Sequence, residues 1–239
     1  MNDAASETTS EPERADPFLT SAVTVPVNEL FATMQWVGTH AGSPVVVVRT
    51  QGCGVGCRYC DVPETWHNPR AVFRAESRRR PKRWRDMAAE EVLEWAATEH
   101  KALRHVVITG GDPALHPGTG ELAAVMLAAG YFVQYETSAT YRLPVNLPAA
   151  VWVTASPKFA MAAGREVLPE VLTRADEVVM PLSREKDLAA LQRHVIPVIR
   201  RGVPVYLHPI HGGNLCGEVV KTAFSRGYKV TARVNELVK

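Results

Sequence analysis

Short apolar runs with strand character alternate with helical segments along most of this 239-residue chain. Strands that alternate with helices form right-handed crossovers and a mostly parallel sheet. We therefore predict an α/β fold whose functional residues gather at the carboxyl ends of its strands. The predicted strands are residues 45–49, 105–109, 131–136, 151–154, 177–180, 204–208 and 229–234, and the predicted helices are residues 88–103, 120–129, 166–174, 185–195 and 217–226.

A loop with three cysteines follows the first of these strands. Cys53, Cys57 and Cys60 have the spacing C-x3-C-x2-C, and the remaining cysteine, Cys216, lies far downstream. Three thiolates at this spacing can hold three irons of a 4Fe-4S cluster and leave the fourth iron open. A ferredoxin-like electron carrier would need a fourth cysteine nearby. The loop therefore predicts an iron-sulfur site with an iron open for reaction.

Two other uses of these cysteines are a structural zinc site and a disulfide. A closed zinc site needs four protein ligands, so Cys216 or a histidine such as His67 would have to be recruited from a distance. A disulfide requires an oxidising compartment, whereas residues 1–21 are polar and acidic and contain no apolar signal segment. We therefore predict a cytoplasmic protein with reduced cysteines, in which iron is favoured over zinc.

Composition predicts one folded domain after a leader. The chain has 46% hydrophobic residues and no apolar stretch long enough to cross a bilayer, which indicates a sizeable core and no membrane association. Residues 1–22 contain too few apolar side chains to offset the entropy of ordering, so we expect a disordered leader and a domain over residues 23–239. The net charge of +2 does not by itself indicate a nucleic-acid partner.

Positive charge is nonetheless concentrated in residues 70–85, where arginines and lysines are interleaved with Phe73 and Trp84. Such a segment is one that could bind nucleic acid. Because it follows a predicted redox site, a solvated lid or a docking face for an acidic electron donor is favoured, and nucleic acid is the less favoured partner.

A second motif, Gly110-Gly111-Asp112-Pro113, follows the second predicted strand. Glycines allow a ligand to approach the backbone closely, although a tight strand-to-helix turn explains a lone Gly-Gly pair as well. Together with the cysteine loop, the motif resembles the Gly-Gly-Glu-Pro motif with which radical S-adenosylmethionine (SAM) enzymes hold the methionyl ammonium of SAM. Asp112 replaces the glutamate, and it keeps the charge with one methylene less.

From residue 23 onwards the chain resembles the 7-carboxy-7-deazaguanine synthase family. The matching stretches are residues 26–31, 51–61, 104–111, 136–138, 152–158 and 206–210. The resemblance implies an incomplete β/α barrel of the radical SAM type, a homodimer, and electron delivery by flavodoxin or ferredoxin. It also implies ring contraction of a carboxytetrahydropterin, on the way to queuosine and related deazapurines, by a 5′-deoxyadenosyl radical.

The same resemblance implies site residues. Those implied to ligate the cluster are Cys53, Cys57 and Cys60. Those implied to contact SAM are Tyr59, beside the adenine, and Gly110, Gly111, Asp112, Ser138, Ser156 and Lys158. Those implied to contact the substrate are Gln35, Gly38, Arg49 and Thr109.

Three positions depart from the family pattern on the substrate side. Val37 stands where the family has a glutamate, Val62 where it has a threonine that binds Mg2+, and Asn235 where it has a histidine. Each change removes a polar group that a buried polar ligand would need, and valine cannot ligate Mg2+. The possibilities left open are the parent reaction, the same SAM chemistry on another pterin- or purine-like substrate, activation of a glycyl-radical protein, and a regulator without catalysis.

Overall fold

The structure is a computed structural model, which describes residues 23–66, 84–210 and 216–231. The predicted leader, residues 1–22, lies outside the described residues. The strands are β1 (Thr24–Met34), β2 (Pro44–Thr50), β3 (Arg85–Ala88), β4 (His105–Gly110), β5 (Phe132–Thr137), β6 (Trp152–Ala155), β7 (Glu177–Leu182), β8 (Val205–Pro209) and β9 (Lys229–Val230). The α-helices are α1 (Ala89–Glu99), α2 (Gly118–Ala128), α3 (Pro169–Arg174), α4 (Glu185–Ala190), which a π-helical turn (Leu191–Val195) extends, and α5 (Cys216–Arg226).

The strands form one sheet in the order β3-β1-β2-β4-β5-β6-β7-β8-β9. β1 pairs antiparallel with β2 and β3, and every pair from β2–β4 to β8–β9 is parallel. The predicted α/β class and mostly parallel sheet are therefore confirmed. β1 and β3 were not predicted, because β1 interrupts its apolar residues with Pro26, Asn28 and Glu29, and β3 has only four residues, two of them charged.

Alternate strand residues form the core beneath the helices. Val46, Val48, Val106 and Ile108 pack with side chains of α1 and α2, and a second cluster joins β7 and β8 to α3 and α5. Successive strand side chains point to opposite faces of a sheet. The residues between these core positions therefore lie on the concave face, which carries the polar side chains described below.

Contacts of the β1–β2 hairpin loop, residues 35–43, show that the sheet curls into an open barrel. The amide of Thr39 donates a hydrogen bond to Glu177 of β7 at 2.7 Å, and the Thr39 hydroxyl accepts one from Tyr206 of β8 at 3.1 Å. A loop attached to β1 and β2 thus reaches strands on the far side of the sheet. With the matches reported below, this geometry confirms the predicted incomplete β/α barrel.

The same loop covers the amino-terminal ends of the parallel strands. His40 packs against the rings of His105, Phe132 and Trp152, which are the first residues of β4, β5 and β6. The carboxyl ends of the strands lie at the opposite end of the barrel, where the cysteine loop begins. Within the described ranges, no helix has the length and apolar character that a membrane span requires.

Candidate active site

The three cysteines of the loop after β2 lie together at the carboxyl end of the sheet. Cys53, Cys57 and Cys60 carry free thiols and share an apolar cluster with Val55 and Met161. The amide of Cys60 donates to the carbonyl of Cys57 at 3.2 Å, which makes this part of the loop a tight turn. Three thiols on one short loop fit a 4Fe-4S cluster, in which each sulfur binds a different iron.

Burial controls the ionisation of these thiols. It raises the pKa of Cys53 to about 12, and it raises the pKa of Cys57, which the nearby charge of Lys158 partly lowers. Thiolates in such surroundings need a bound cation, which is what a cluster provides. In the part of the chain that the structure describes, no three His, Cys, Asp or Glu side chains are grouped closely enough to hold one metal ion. Of the residues that zinc would recruit, His67 lies outside that part, and Cys216 is the first residue of α5.

Trp66 contacts the third cysteine and was not identified from the sequence. Its indole Nε1 donates a hydrogen bond to Cys60 Sγ at 3.1 Å. Trp66 follows a 3-10 turn, Pro63–Thr65, which is fixed against the start of the loop because the Gly52 amide donates to the Thr65 carbonyl at 2.8 Å. A lone tryptophan downstream of a cysteine motif carries no spacing signal, so only the folded turn reveals the contact.

Gly110 and Gly111 pack against the backbone that leads into the cysteine loop. A Cβ on Gly111 would lie 2.0 Å from the Gly52 carbonyl oxygen, and one on Gly110 would lie 2.2 Å from the Thr50 nitrogen. Gly110 also has a φ of 132°, which favours glycine. The structure therefore gives both glycines a packing reason, and the approach of a ligand to their backbone stays a prediction. Protein backbone fills the space that side chains would occupy.

The carboxylate of Asp112 joins the ends of β4 and β5. It is 1% exposed, and it accepts hydrogen bonds from the Thr137 hydroxyl at 3.0 Å, the Ala114 amide at 3.1 Å, and both the amide and the hydroxyl of Ser138. Burial raises the pKa of Asp112, and these donors oppose the shift. The Ser138 hydroxyl lies 2.8 Å from that of Thr140. Asp112 and Ser138 thus act as one unit.

Lys158 and Tyr59 lie beside the cysteines. Lys158 follows β6, and its Nζ donates to the Ser156 carbonyl at 3.0 Å and to the Ser156 hydroxyl at 2.5 Å. Tyr59 packs in the same apolar cluster as the cysteines, where burial raises its pKa. The loops after β2, β4, β5 and β6 therefore bring the predicted SAM residues to one end of the barrel.

A row of polar side chains crosses the concave face below this end. Arg49 pairs in register with Thr109, and Glu136 pairs with Thr154. The Thr109 hydroxyl donates to Glu136 Oε2 at 2.9 Å, and Gln35 Nε2, from the hairpin loop, donates to Glu136 Oε1 at 2.8 Å. Two predicted substrate residues, Gln35 and Thr109, therefore meet at Glu136, which the sequence analysis did not assign to the site.

Arg49 is held at the wall of the barrel. Its Nε donates to Glu29 Oε2 at 2.7 Å, and its guanidinium lies 5.1 Å from the centroid of the Phe31 ring. The side chain is 18% exposed. A guanidinium fixed in this way is suited to bind a carboxylate through paired N–H donors.

Gly38 lies against Glu177. Gly38 has a φ of 77°, and a Cβ there would lie 2.4 Å from Glu177 Oε1. The structure therefore gives Gly38 a packing role in the loop, and its contact with a substrate stays a prediction. Glu177 is the one polar residue of β7, and Glu136 is the one charged residue of β5, which also contains Gln134 and Thr137. An acidic residue inside an inner strand is the signal that could have identified both, because a carboxylate there needs a partner or a function.

Of the departures from the family pattern, Val37 and Val62 are described and Asn235 lies outside the described residues. Val62 begins the 3-10 turn after the cysteine loop, and its carbonyl accepts hydrogen bonds from the amide and the hydroxyl of Thr65 at 3.0 and 2.8 Å. Only residues 84 and 85 of the basic stretch are described.

Residues 47–146 match the family model described as the Radical SAM superfamily. Together with the open barrel and the three-cysteine loop at its carboxyl end, this match defines a radical SAM enzyme, and it implies a 4Fe-4S cluster, SAM, a small-molecule substrate and a reductant. The residues present fit these groups, because the three cysteines share one apolar cluster, with Gly111 beside Cys53 and Lys158 near Cys57.

Individual relatives show to which family of radical SAM enzymes the chain is similar. The chain is 36% identical over 171 residues to the 7-carboxy-7-deazaguanine synthase of Escherichia coli. This alignment covers 70% of this chain and 75% of that protein. It is 26% identical over 227 residues to the synthase of Buchnera aphidicola, covering 90% and 98%. The crystal structure of QueE from Escherichia coli aligns with a TM-score of 0.76 at 31% identity, covering 87% of this chain and 93% of that one. The chain belongs to the 7-carboxy-7-deazaguanine synthase family.

Proposed function

We propose that this protein converts 6-carboxytetrahydropterin to 7-carboxy-7-deazaguanine in queuosine biosynthesis. The observation that carries the proposal is the position of the polar row of Arg49, Thr109 and Glu136 relative to the SAM end of the barrel. Thr109 directly precedes Gly110, so the row lies one step below the Gly110-Gly111 turn on the concave face. A substrate bound at the row would lie next to the SAM site.

In this proposal Cys53, Cys57 and Cys60 ligate the cluster. When bound, the cluster and SAM supply a 5′-deoxyadenosyl radical, which removes hydrogen from the substrate carbon that bears the carboxylate. Tyr59 borders the adenine, and the other proposed SAM contacts are Gly110, Gly111, Ser138, Ser156 and Lys158. Asp112 acts through Ser138: the hydroxyl donates its proton to Asp112, which fixes the orientation of Ser138 at the proposed SAM site.

The row supplies groups of both signs for the substrate. Arg49 is proposed to bind the substrate carboxylate, because a guanidinium matches a carboxylate with paired donors. Glu136 is proposed to accept from the amidine-like edge of the pterin, with Gln35 and Thr109 orienting it. Gly38 allows the hairpin loop to pack closely against Glu177. Anaerobic conversion of the pterin to 7-carboxy-7-deazaguanine tests the proposal, whereas SAM cleavage without that product would support the alternative, the same chemistry on another substrate.

Several broader features are proposed with this function. Flavodoxin or ferredoxin delivers the electron, and residues 70–85 provide a docking face or a lid. The protein acts in the cytoplasm as a homodimer, with residues 23–239 as its domain, and nucleic acid is not a partner. Mg2+ is weakly held, because Val62 offers no side-chain oxygen where the family has one.

Val62→Thr should raise the turnover rate of the pterin and its dependence on Mg2+. Threonine has the shape of valine with one methyl group replaced by a hydroxyl, and a hydroxyl is also favourable at the start of a helical turn. We expect a gain of about tenfold, the size typical of a restored group around a metal. Steady-state rates with and without Mg2+ measure it, and Val62→Ala is the control without a hydroxyl. Fast, strongly Mg2+-dependent turnover by the unmodified protein would contradict the altered metal site.

Trp66→Phe should make the cluster harder to reduce. The indole N–H donates to the sulfur of Cys60, and such a bond stabilises the more negative, reduced cluster. Losing a hydrogen bond worth about 1 kcal/mol lowers the reduced-to-oxidised ratio at a fixed potential by about fivefold. A redox titration followed by electron paramagnetic resonance measures the ratio, and Trp95→Phe, on α1, is the control. An unchanged potential would show that this contact does not tune the cluster.

A further inference from the structure

Glu177 is a fully buried carboxylate that the proposed reaction does not use. It is the first residue of β7 and is 0% exposed. Its Oε2 accepts the backbone amide of Thr39 at 2.7 Å, and its Oε1 accepts the hydroxyl of Thr154 at 2.7 Å. A buried carboxylate costs free energy unless donors satisfy it, so these two bonds are what allow Glu177 to be here.

The hydroxyl of Thr154 is itself oriented toward Glu177. Gln134 Nε2 donates to Thr154 Oγ1 at 3.0 Å, so the Thr154 proton is directed to the carboxylate. Gln134 Oε1 lies 3.2 Å from His105 Nε2, which completes a chain across β4, β5, β6 and β7. The carboxylate is therefore held in one orientation, with Oε2 presented to the hairpin loop.

A second, half-buried carboxylate, that of Glu136, holds the same loop at Gln35. Gln35 Nε2 donates to Glu136, and Gln35 Oε1 accepts the amide of Trp36 at 2.8 Å. The two anchors differ in kind, because Glu136 holds a side chain whereas Glu177 holds the backbone of Thr39. A substrate that bonds to Glu136 would compete with Gln35 for it. The bond from Thr39 to Glu177 does not depend on Glu136, so it would keep the loop in place when the substrate binds.

Gly38 fits this arrangement sterically. Its Cβ position lies 2.4 Å from Glu177 Oε1 and 2.7 Å from Oε2, so any side chain there would displace the carboxylate. The left-handed conformation of Gly38, with a φ of 77°, also turns the next amide, that of Thr39, onto Glu177. The bond between Thr39 and Glu177 therefore requires glycine at position 38.

From this geometry we propose that Glu177 is a positioning residue, which fixes the hairpin loop of residues 35–43 through Thr39 and so keeps Gln35 in place for the substrate. The inference rests on the proposed function for the role of Gln35. The anchoring itself is independent of which substrate binds.

The first test compares Glu177→Ala and Glu177→Gln with Asp176→Asn. Asp176 is the neighbouring carboxylate on the opposite face, where it accepts from Arg174, Arg200 and the Val153 amide. For Glu177→Ala we expect the KM for the pterin to rise about tenfold, the effect of losing a charged hydrogen bond, with kcat changed much less. Glu177→Gln keeps one acceptor, so its KM should lie between those of the wild type and Glu177→Ala. Asp176→Asn should lose stability without a change in KM.

SAM affinity and SAM cleavage without substrate should stay unchanged in both Glu177 variants. The hydrogen bonds of Glu177 go to Thr39 and Thr154, and neither of these is a proposed SAM residue. If folded Glu177→Gln and Glu177→Ala proteins retain the wild-type KM, the proposal is overturned. If Glu177→Ala does not fold, Glu177→Gln decides the outcome.

Hydrogen exchange separates the proposal from the proposed function. In the substrate-free protein, the amides of residues 35–43 should exchange faster in the Glu177 variants than in wild type, by about tenfold, and should not change in Asp176→Asn. If the protein does not use the pterin but this exchange accelerates, the proposed function fails and the anchor stands. Unchanged exchange overturns the anchor whatever the substrate.

A double-mutant cycle tests the steric part. Gly38→Ala should weaken substrate binding because the methyl group displaces Glu177, and Glu177→Asp retracts the carboxylate by one methylene. The double variant should therefore bind the pterin more tightly than Gly38→Ala alone. The strain of alanine at positive φ remains in both proteins. Strictly additive losses would contradict the contact between Gly38 and Glu177.

Discussion

Replacing Cys57 by alanine should abolish both the cluster and the cleavage of SAM. Cys57 is buried among Cys53, Cys60, Val55 and Met161, and the loop has no other thiol to take its place. Two thiolates cannot hold three irons, so the cluster should not assemble in a stable form. Iron and sulfide content after anaerobic reconstitution, and the yield of 5′-deoxyadenosine, measure the two losses.

The controls for this prediction come from the other cysteines. Cys53→Ala and Cys60→Ala should behave as Cys57→Ala does, whereas Cys216→Ala, far from the loop in sequence, should retain the cluster and SAM cleavage. Stoichiometric zinc in place of iron in the wild-type protein, or normal SAM cleavage by Cys57→Ala, would contradict the assignment of the loop.

Gly111→Ala should destabilise the protein strongly. A Cβ at this position would lie 2.0 Å from the carbonyl oxygen and 2.5 Å from the carbonyl carbon of Gly52, and both are backbone atoms that cannot rotate away. The end of β4 must then separate from the cysteine loop, which breaks the hydrogen bonds from the amides of Gly111 and Asp112 to this segment. We expect the free energy of unfolding to fall by about 3 kcal/mol.

Urea unfolding measures this loss, and the yield of reconstituted cluster reports whether the loop has moved. Gly217→Ala is the matched control, because Gly217 lies in α5 with nothing near its Cβ position. Alanine there should leave the stability unchanged or raise it by up to about 0.5 kcal/mol, because Gly217 lies in the first turn of the helix. Equal effects of the two substitutions would show that β4 and the cysteine loop are not packed as described.

The sequence predicted the parallel part of the sheet because its strands are apolar runs separated by helical spacing. It did not predict β1 and β3, in which polar residues interrupt the apolar pattern and pairing with neighbours decides the conformation. The closure of the barrel was likewise inferred only from the family resemblance. It depends on contacts between Thr39 and residues of β7 and β8 that are far away in sequence.

In the candidate site too, some residues could be identified from the local sequence and others only from the fold. The cysteines and the Gly110-Gly111 turn are local motifs, so their spacing alone located them. The roles proposed for Glu136 and Glu177 depend on neighbours on other strands and on the register that places both on the concave face. The steric reason for Gly110 and Gly111 also required the fold, because the atoms they accommodate belong to a segment about sixty residues earlier in the chain.

The most direct test of the proposed reaction follows hydrogen from substrate to cofactor. The reconstituted protein is incubated anaerobically with SAM, a reductant, and 6-carboxytetrahydropterin that carries deuterium at the carbon bearing the carboxylate. We expect deuterium to appear in 5′-deoxyadenosine while 7-carboxy-7-deazaguanine accumulates, both detected by mass spectrometry. Unlabelled 5′-deoxyadenosine with no 7-carboxy-7-deazaguanine would contradict the proposed reaction.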